Sequence, residues 1–176
     1  MFTFQIFTVF LIGLIFGSFA NVCIARLPKD KTIIFGRSNC PKCKKKISWY
    51  DNIPLISFIL LKGKCRQCNK KISINYFFVE LLTGIFFITI FLYTSNYFDF
   101  ILINLILILF LIIFFIDLKH FIIPDILNFS LIFLGLLKNF IPTKNLNFNY
   151  DIEQSIIGGV IGYLTIWIII FLYKKL

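Results

Sequence analysis

The sequence predicts an all-α fold: a polytopic membrane helix bundle of about five spans, carrying one cytoplasmic zinc-ribbon-like loop. Three observations lead there. First, 59% of the 176 residues are hydrophobic and the mean hydropathy is +0.91, more apolar side chain than a soluble core of this size buries. Second, the net charge of +10 is segregated: thirteen of the eighteen Lys and Arg lie between Arg26 and Lys71, where the only acids are Asp30 and Asp51. Third, that basic segment holds CPKCKKKIS at 40–48 and CRQCNKKIS at 65–73, two copies of one cysteine motif.

The spans follow from the apolar runs. The first, residues 1–25, has no Lys or Arg before Arg26, so it lacks the basic n-region of a signal peptide and stays in the protein. The others are expected over 76–93, 98–116, 126–141 and 155–173. A helix needs ~20 apolar residues to cross ~30 Å of hydrocarbon, so the span over 126–141 is short and must tilt or stop partway. Basic loops stay inside. That puts 26–75, 117–125 and the C-terminal Lys174-Lys175 on the cytoplasmic side of a bacterial inner membrane. The outer turns, 94–97 and 142–154, carry only Lys144 among basic residues. Three regions result: 1–25 as first span, 26–75 as cytoplasmic loop, 76–176 as a bundle of about four spans. A basic segment can also bind nucleic acid, but the positive-inside rule accounts for this one, and no nucleic-acid partner is expected. Gly13-x-x-x-Gly17 and Gly158-x-x-x-Gly162 are spacings that permit close helix contact.

In the loop, Cys40, Cys43, Cys65 and Cys68 form two C-x-x-C turns with twenty-one residues between the inner cysteines. Two such turns make a four-sulfur tetrahedral site suited to zinc. Nearby lysines are expected to favour thiolate, and a reducing cytosol disfavours disulfides. Four cysteines leave no open position for water, so the zinc is structural. Between the knuckles, WYDNIPLISFILL at 49–61 is amphipathic and suited to lie against the membrane or other helices. Cys23, in the first span, reads as a small buried apolar residue.

In order and spacing, GSFANVCIARLP (17–28), CPKC, WYDNIPLISFILLKGKCRQC, ISINYFFVELLTG (72–84) and IDLKHFIIPD (116–125) resemble the type IV prepilin peptidases. The resemblance runs from about residue 10 to the last residue. It implies a bifunctional membrane enzyme of pilus and type II secretion systems. Such an enzyme cuts the basic leader from prepilin or pseudopilin precursors on the cytoplasmic side. It then methylates the new N-terminal amine with S-adenosylmethionine, and the cysteine loop is associated with that step. Cleavage uses two aspartates at cytoplasmic helix ends. The first, in D-x-x-x-x-x-x-P-D, matches Asp117; the second lies in a later Gly-x-Gly-Asp motif. Physics supports the pairing, because carboxylates sharing a proton supply one acid and one base. A pilin precursor, basic leader then hydrophobic helix, also presents its scissile bond at this interface.

No Gly-x-Gly-Asp occurs in the sequence, and the last acids, Asp151 and Glu153, fall on the expected outer side. The chain reads as truncated just before its second catalytic motif. Three explanations follow: a homologue without peptidase activity, a second chain that supplies the missing aspartate, or Asp125 as the partner of Asp117. Pro124 breaks any continuous helix through both acids. The alternative function is a catalytically inactive zinc-loop membrane subunit that binds pilin precursors or the secretion assembly.

Single residues also carry plainer readings. Asp117 can cap a helix end or pair with Lys119, and Asp125 can start the next helix. Glu80 lies in a span near its inner end, where an ionisable residue is a functional candidate. Asn21 and Arg26 match the family's first motif, and Arg26 can serve as a headgroup anchor. His120, the one histidine, is assigned no role.

Overall fold

A computed structural model of the chain describes residues 2–33, 36, 38–140 and 152–175. Most of the expected outer turn over 142–154, with Lys144 and Asp151, lies outside the described residues, as does Arg37 of the basic loop. The helices are α1 (Phe2–Arg26), α2 (Ile56–Leu60), α3 (Asn75–Tyr93), α4 (Tyr97–His120), α5 (Asp125–Phe140) and α6 (Ile152–Lys175). Short 3-10 turns cover Leu27–Lys29 and Trp49–Asn52. Among the described residues α1, α3 and α4 are long and apolar enough to cross a membrane, while the apolar part of α5 is shorter. The chain divides into two compact units, 1–129 and 130–176.

In the first unit α1 and α3 pack antiparallel, and glycine sets their distance. A Cβ on Gly13 would lie 2.9 Å from the Gly84 Cα and from the Thr83 carbonyl oxygen. One on Gly17 would lie 2.7 Å from the Glu80 Cα and also collide with the Thr83 hydroxyl. No larger residue fits where two backbones meet this closely. The ladder continues inward, where the Asn21 side-chain amide donates to the Tyr76 carbonyl at 3.0 Å. Among the described residues, a Cβ on Gly158 or Gly162, in α6, would meet nothing within 4 Å.

A tight turn at 94–96 reverses the chain into α4. Asn96 caps it by accepting from the Phe98 N–H at 3.2 Å. Phe100 of α4 meets Phe87 and Phe91 of α3 edge-on, with centroids 5.9 and 6.0 Å apart. Ala20, Cys23, Val79, Phe87, Ile112, Ile116 and Leu127 form the buried core, which puts Cys23 where its apolar reading expects it. Asp99 and Asn104 of α4 are buried too, each with a side-chain oxygen that has no partner among the described residues. α4 ends at Phe121, whose φ of 55° is left-handed and whose N–H donates to the Asp117 carbonyl at 2.8 Å. The break before Pro124 is therefore where the sequence puts it, and α5 begins at Asp125. Within the second unit, Trp167 stacks on Phe171 along α6.

Candidate functional site

The loop leaves α1 at Arg26, whose guanidinium donates to the carbonyls of Thr32 (3.0 Å) and Gly36 (2.9 Å). Arg26 thus clasps the chain that follows it, a local role beyond the expected headgroup anchor.

The two cysteine motifs fold identically. In the first, the Cys40 N–H donates to Lys45 O (3.0 Å), Lys44 N–H to Cys40 O (2.9 Å) and Ile47 N–H to Ser38 O (2.8 Å). In the second, Cys65 N–H donates to Lys70 O (3.0 Å), Asn69 N–H to Cys65 O (2.9 Å) and Ile72 N–H to Gly63 O (2.8 Å). Lys44 and Asn69 take the same left-handed conformation, with φ of 59° and 52°. These turns bring all four sulfurs within 4.8 Å of one another. Cys40 Sγ and Cys68 Sγ are 3.9 Å apart, close to the ~3.8 Å edge of a tetrahedron with ~2.3 Å zinc–sulfur bonds. All four are free thiols. The donor set fits, and the cluster could bind a metal ion such as zinc.

Crowding splits the thiols. At Cys40 burial opposes ionisation, but the backbone N–H groups of Cys43 and Lys42 and the thiols of Cys43 and Cys65 outweigh it, lowering the pKa to about 7. At Cys68 the Lys70 N–H favours the anion, yet desolvation and the three neighbouring thiols push the pKa up to about 11. The groups that favour the Cys40 thiolate are therefore backbone amides and thiols, rather than the lysine ammonium groups expected from sequence. A divalent cation among the sulfurs would favour their thiolate forms.

The segment between the knuckles, expected to be amphipathic, forms a 3-10 turn at Trp49–Asn52 and the short helix α2. Arg66 of the second knuckle grips Asp51 through two nitrogens (2.7–3.0 Å) and lies 5.5 Å from the Tyr50 ring centroid. The Asp51 carboxylate raises the Arg66 pKa further, first by hydrogen bonding and then by charge. Glu80, one and a half turns into α3, accepts the Leu55 N–H at 2.8 Å on Oε2, with Ser18 and Asn21 facing the same carboxylate. A cavity of about 280 Å³ separates the loop from the helix ends, lined by Ser18, Asn21, Tyr76 and Glu80 on the helix side and by Cys40 and Arg66 on the loop side. Sequence reasoning flagged Glu80 and Asn21 but missed the Asp51–Arg66 pair, which no local pattern announces.

Asp117 sits exposed in the last turn of α4, and Asp125 is the exposed first residue of α5. Asp117 makes no ion pair with Lys119; among the described residues the one ion pair is Arg66–Asp51. Because α4 runs back alongside α3, Asp117 returns to the end of the bundle from which the cysteine loop projects. His120 closes α4, partly exposed.

Residues 11–94 match the bacterial peptidase A24 N-terminal domain, and residues 103–175 match the type IV leader peptidase family. The chain is 40% identical to a prepilin leader peptidase/N-methyltransferase of Vibrio cholerae over 94% of its own length and 68% of that protein. It is 35% identical to proteins of the same name from Klebsiella pneumoniae (95% of this chain, 74% of the relative) and Myxococcus xanthus (89% and 45%). The chain thus spans between about half and three quarters of these relatives. No solved structure matches it.

Proposed function

We propose a function from one premise: the chain belongs to the type IV leader peptidase family, as a multi-pass membrane protein. The reading is a bacterial inner-membrane aspartic endopeptidase that removes the leader of prepilin or pseudopilin precursors, with N-methylation of the newly exposed amine. The cysteine loop then lies in the cytoplasm. The observation that carries the reading is Asp117, a carboxylate exposed at the end of a membrane-length helix, on the same side as the basic loop.

Asp117 would be one of two carboxylates that share a proton. The ionised one takes a proton from water, and the protonated one delivers a proton to the departing amine. Its partner is Asp125, at the start of α5, or an acid outside these 176 residues. In the loop Cys40, Cys43, Cys65 and Cys68 would hold zinc, which ties the knuckles together and takes no part in bond cleavage. S-adenosylmethionine, when bound, supplies the methyl group; the loop and the helix ends below it would position the accepting amine.

The test is incubation of the detergent-purified chain with a pilin precursor. A leader-shortened product that disappears in Asp117→Asn supports the reading. A second reading rests on the four-cysteine cluster alone: a non-cleaving zinc-loop subunit that binds pilin precursors or the secretion assembly. Precursor binding without cleavage or methyl transfer would select it.

A further inference from the structure

The short helix α2 has two unlike faces. Phe58 turns inward, its ring 5.6 Å from that of Phe77 in α3, and closes over Gly63, where a Cβ would lie 3.0 Å from the Phe58 ring. Ile56, Ile59 and Leu60 turn outward, and Ile59 and Leu60 are 62% and 75% exposed. Trp49, in the turn before it, is 75% exposed as well. Four large apolar side chains facing water on so small a segment are costly at ~25 cal/mol per Å², and such a patch marks a contact surface.

The position of this patch along α3 is fixed by a bond. Leu55, immediately before α2, donates its N–H to Glu80 at 2.8 Å. Glu80 is five residues beyond Asn75, the first residue of α3, which at ~1.5 Å per residue places it ~7–8 Å along that helix. α3 is long and apolar enough to cross a membrane. The loop is therefore tied beside the first turns of a helix long enough to span, the part of such a helix beside which interfacial helices seat their apolar faces. Ile74, just before α3, and Phe78 within it are exposed apolar residues as well. Lys62 and Lys64 follow α2 directly, both exposed, on side chains long enough to reach lipid phosphates while their stems lie along apolar surface.

We propose that α2, with Trp49, is an interfacial wedge: Ile56, Ile59 and Leu60 seat in the acyl boundary of the bilayer leaflet beside α3, and Lys62 and Lys64 meet the headgroup phosphates. The occupant of this face is lipid. The metal-binding loop is thus bound to the bilayer surface along its middle, between the two knuckles, as well as at its ends.

The test places an indole on the outward face. The sequence has two tryptophans, Trp49 and Trp167, and Leu60→Trp in a Trp49→Phe, Trp167→Phe background makes the reporter unique. Ile59→Trp gives a second reporter should the first fold poorly, with bound metal as the folding control for both. In lipid nanodiscs the emission should lie at short wavelength and fall severalfold when the acyl chains are brominated near the headgroup, while aqueous acrylamide has little effect. Strong quenching by acrylamide with none by bromolipid would put the face in water and overturn the proposal. Protection from both quenchers would show that protein covers it, whether a pilin helix or a second copy, and would overturn it equally.

Discussion

Glu80→Ala removes the acceptor that holds the middle of the cysteine loop to the bundle. The wild-type contact is a charge-assisted bond from the Leu55 N–H, 2.8 Å long, of a kind that contributes ~1.5–3 kcal/mol net. It holds Leu55 at φ 58°, ψ −49°, a conformation that costs a non-glycine residue ~1–3 kcal/mol. The two terms are of similar size, so without the carboxylate Leu55 has no reason to stay strained. Segment 53–60 should relax and its amides exchange ~10–100-fold faster, at ~1.4 kcal/mol per tenfold. Glu80→Gln keeps a carbonyl acceptor worth ~0.5–1.5 kcal/mol and should fall between. Hydrogen exchange by mass spectrometry in detergent reads the effect directly. Unchanged exchange over 53–60 in the alanine variant would refute the tether. Equal acceleration throughout α3 would refute it too, by showing that Glu80 supports the helix and not the loop.

Three further outcomes are expected. Asp117→Asn should reduce leader cleavage to background while leaving methylation of a pre-cleaved pilin intact; retained cleavage would remove Asp117 from the chemistry. Cys40→Ser with Cys65→Ser should abolish bound zinc, measured by atomic emission, forfeiting most of the ~10–16 kcal/mol of a structural site; unchanged metal content would rule out the four-sulfur site. Gly17→Val should lower stability, read in thermal melts, by ~1–3 kcal/mol through overpacking, because its side chain would enter the Glu80 backbone; an unchanged melt would show that α1 and α3 do not pack this closely.

Much of this was legible in the sequence. The long helices were, because apolar runs bounded by Arg26, Thr94-Ser95-Asn96 and Pro124 leave little freedom in lipid, where every backbone group must bond internally. The knuckles were legible because a duplicated motif folds twice by the same local bonds. The spacing of Gly13 and Gly17 permits close contact, but that they meet the α3 backbone at Gly84 and Glu80 was not legible; spacing permits contact, and a partner decides it. The Glu80–Leu55 bond, the Arg26 clasp and the Asp51–Arg66 pair were not legible. Each depends on how an irregular loop folds back over many residues, which periodicity does not encode. Asp99 and Asn104 were likewise hidden, two polar residues in an apolar run whose burial depends on which way α4 faces.

The matching bond patterns of the two knuckles bear on how a metal arrives. Each half closes its own turn through local hydrogen bonds, so each pair of thiols is held together by its own knuckle. Capture can then proceed one claw at a time: an ion caught by either pair waits for the other to swing in. Joining the halves means closing the twenty-one-residue connection, an entropic cost of ~2.7 kcal/mol from its length. The bond that moors the connection at Leu55 shortens the free chain and lowers that cost. An ion bound there would thus join two halves that each fold by themselves.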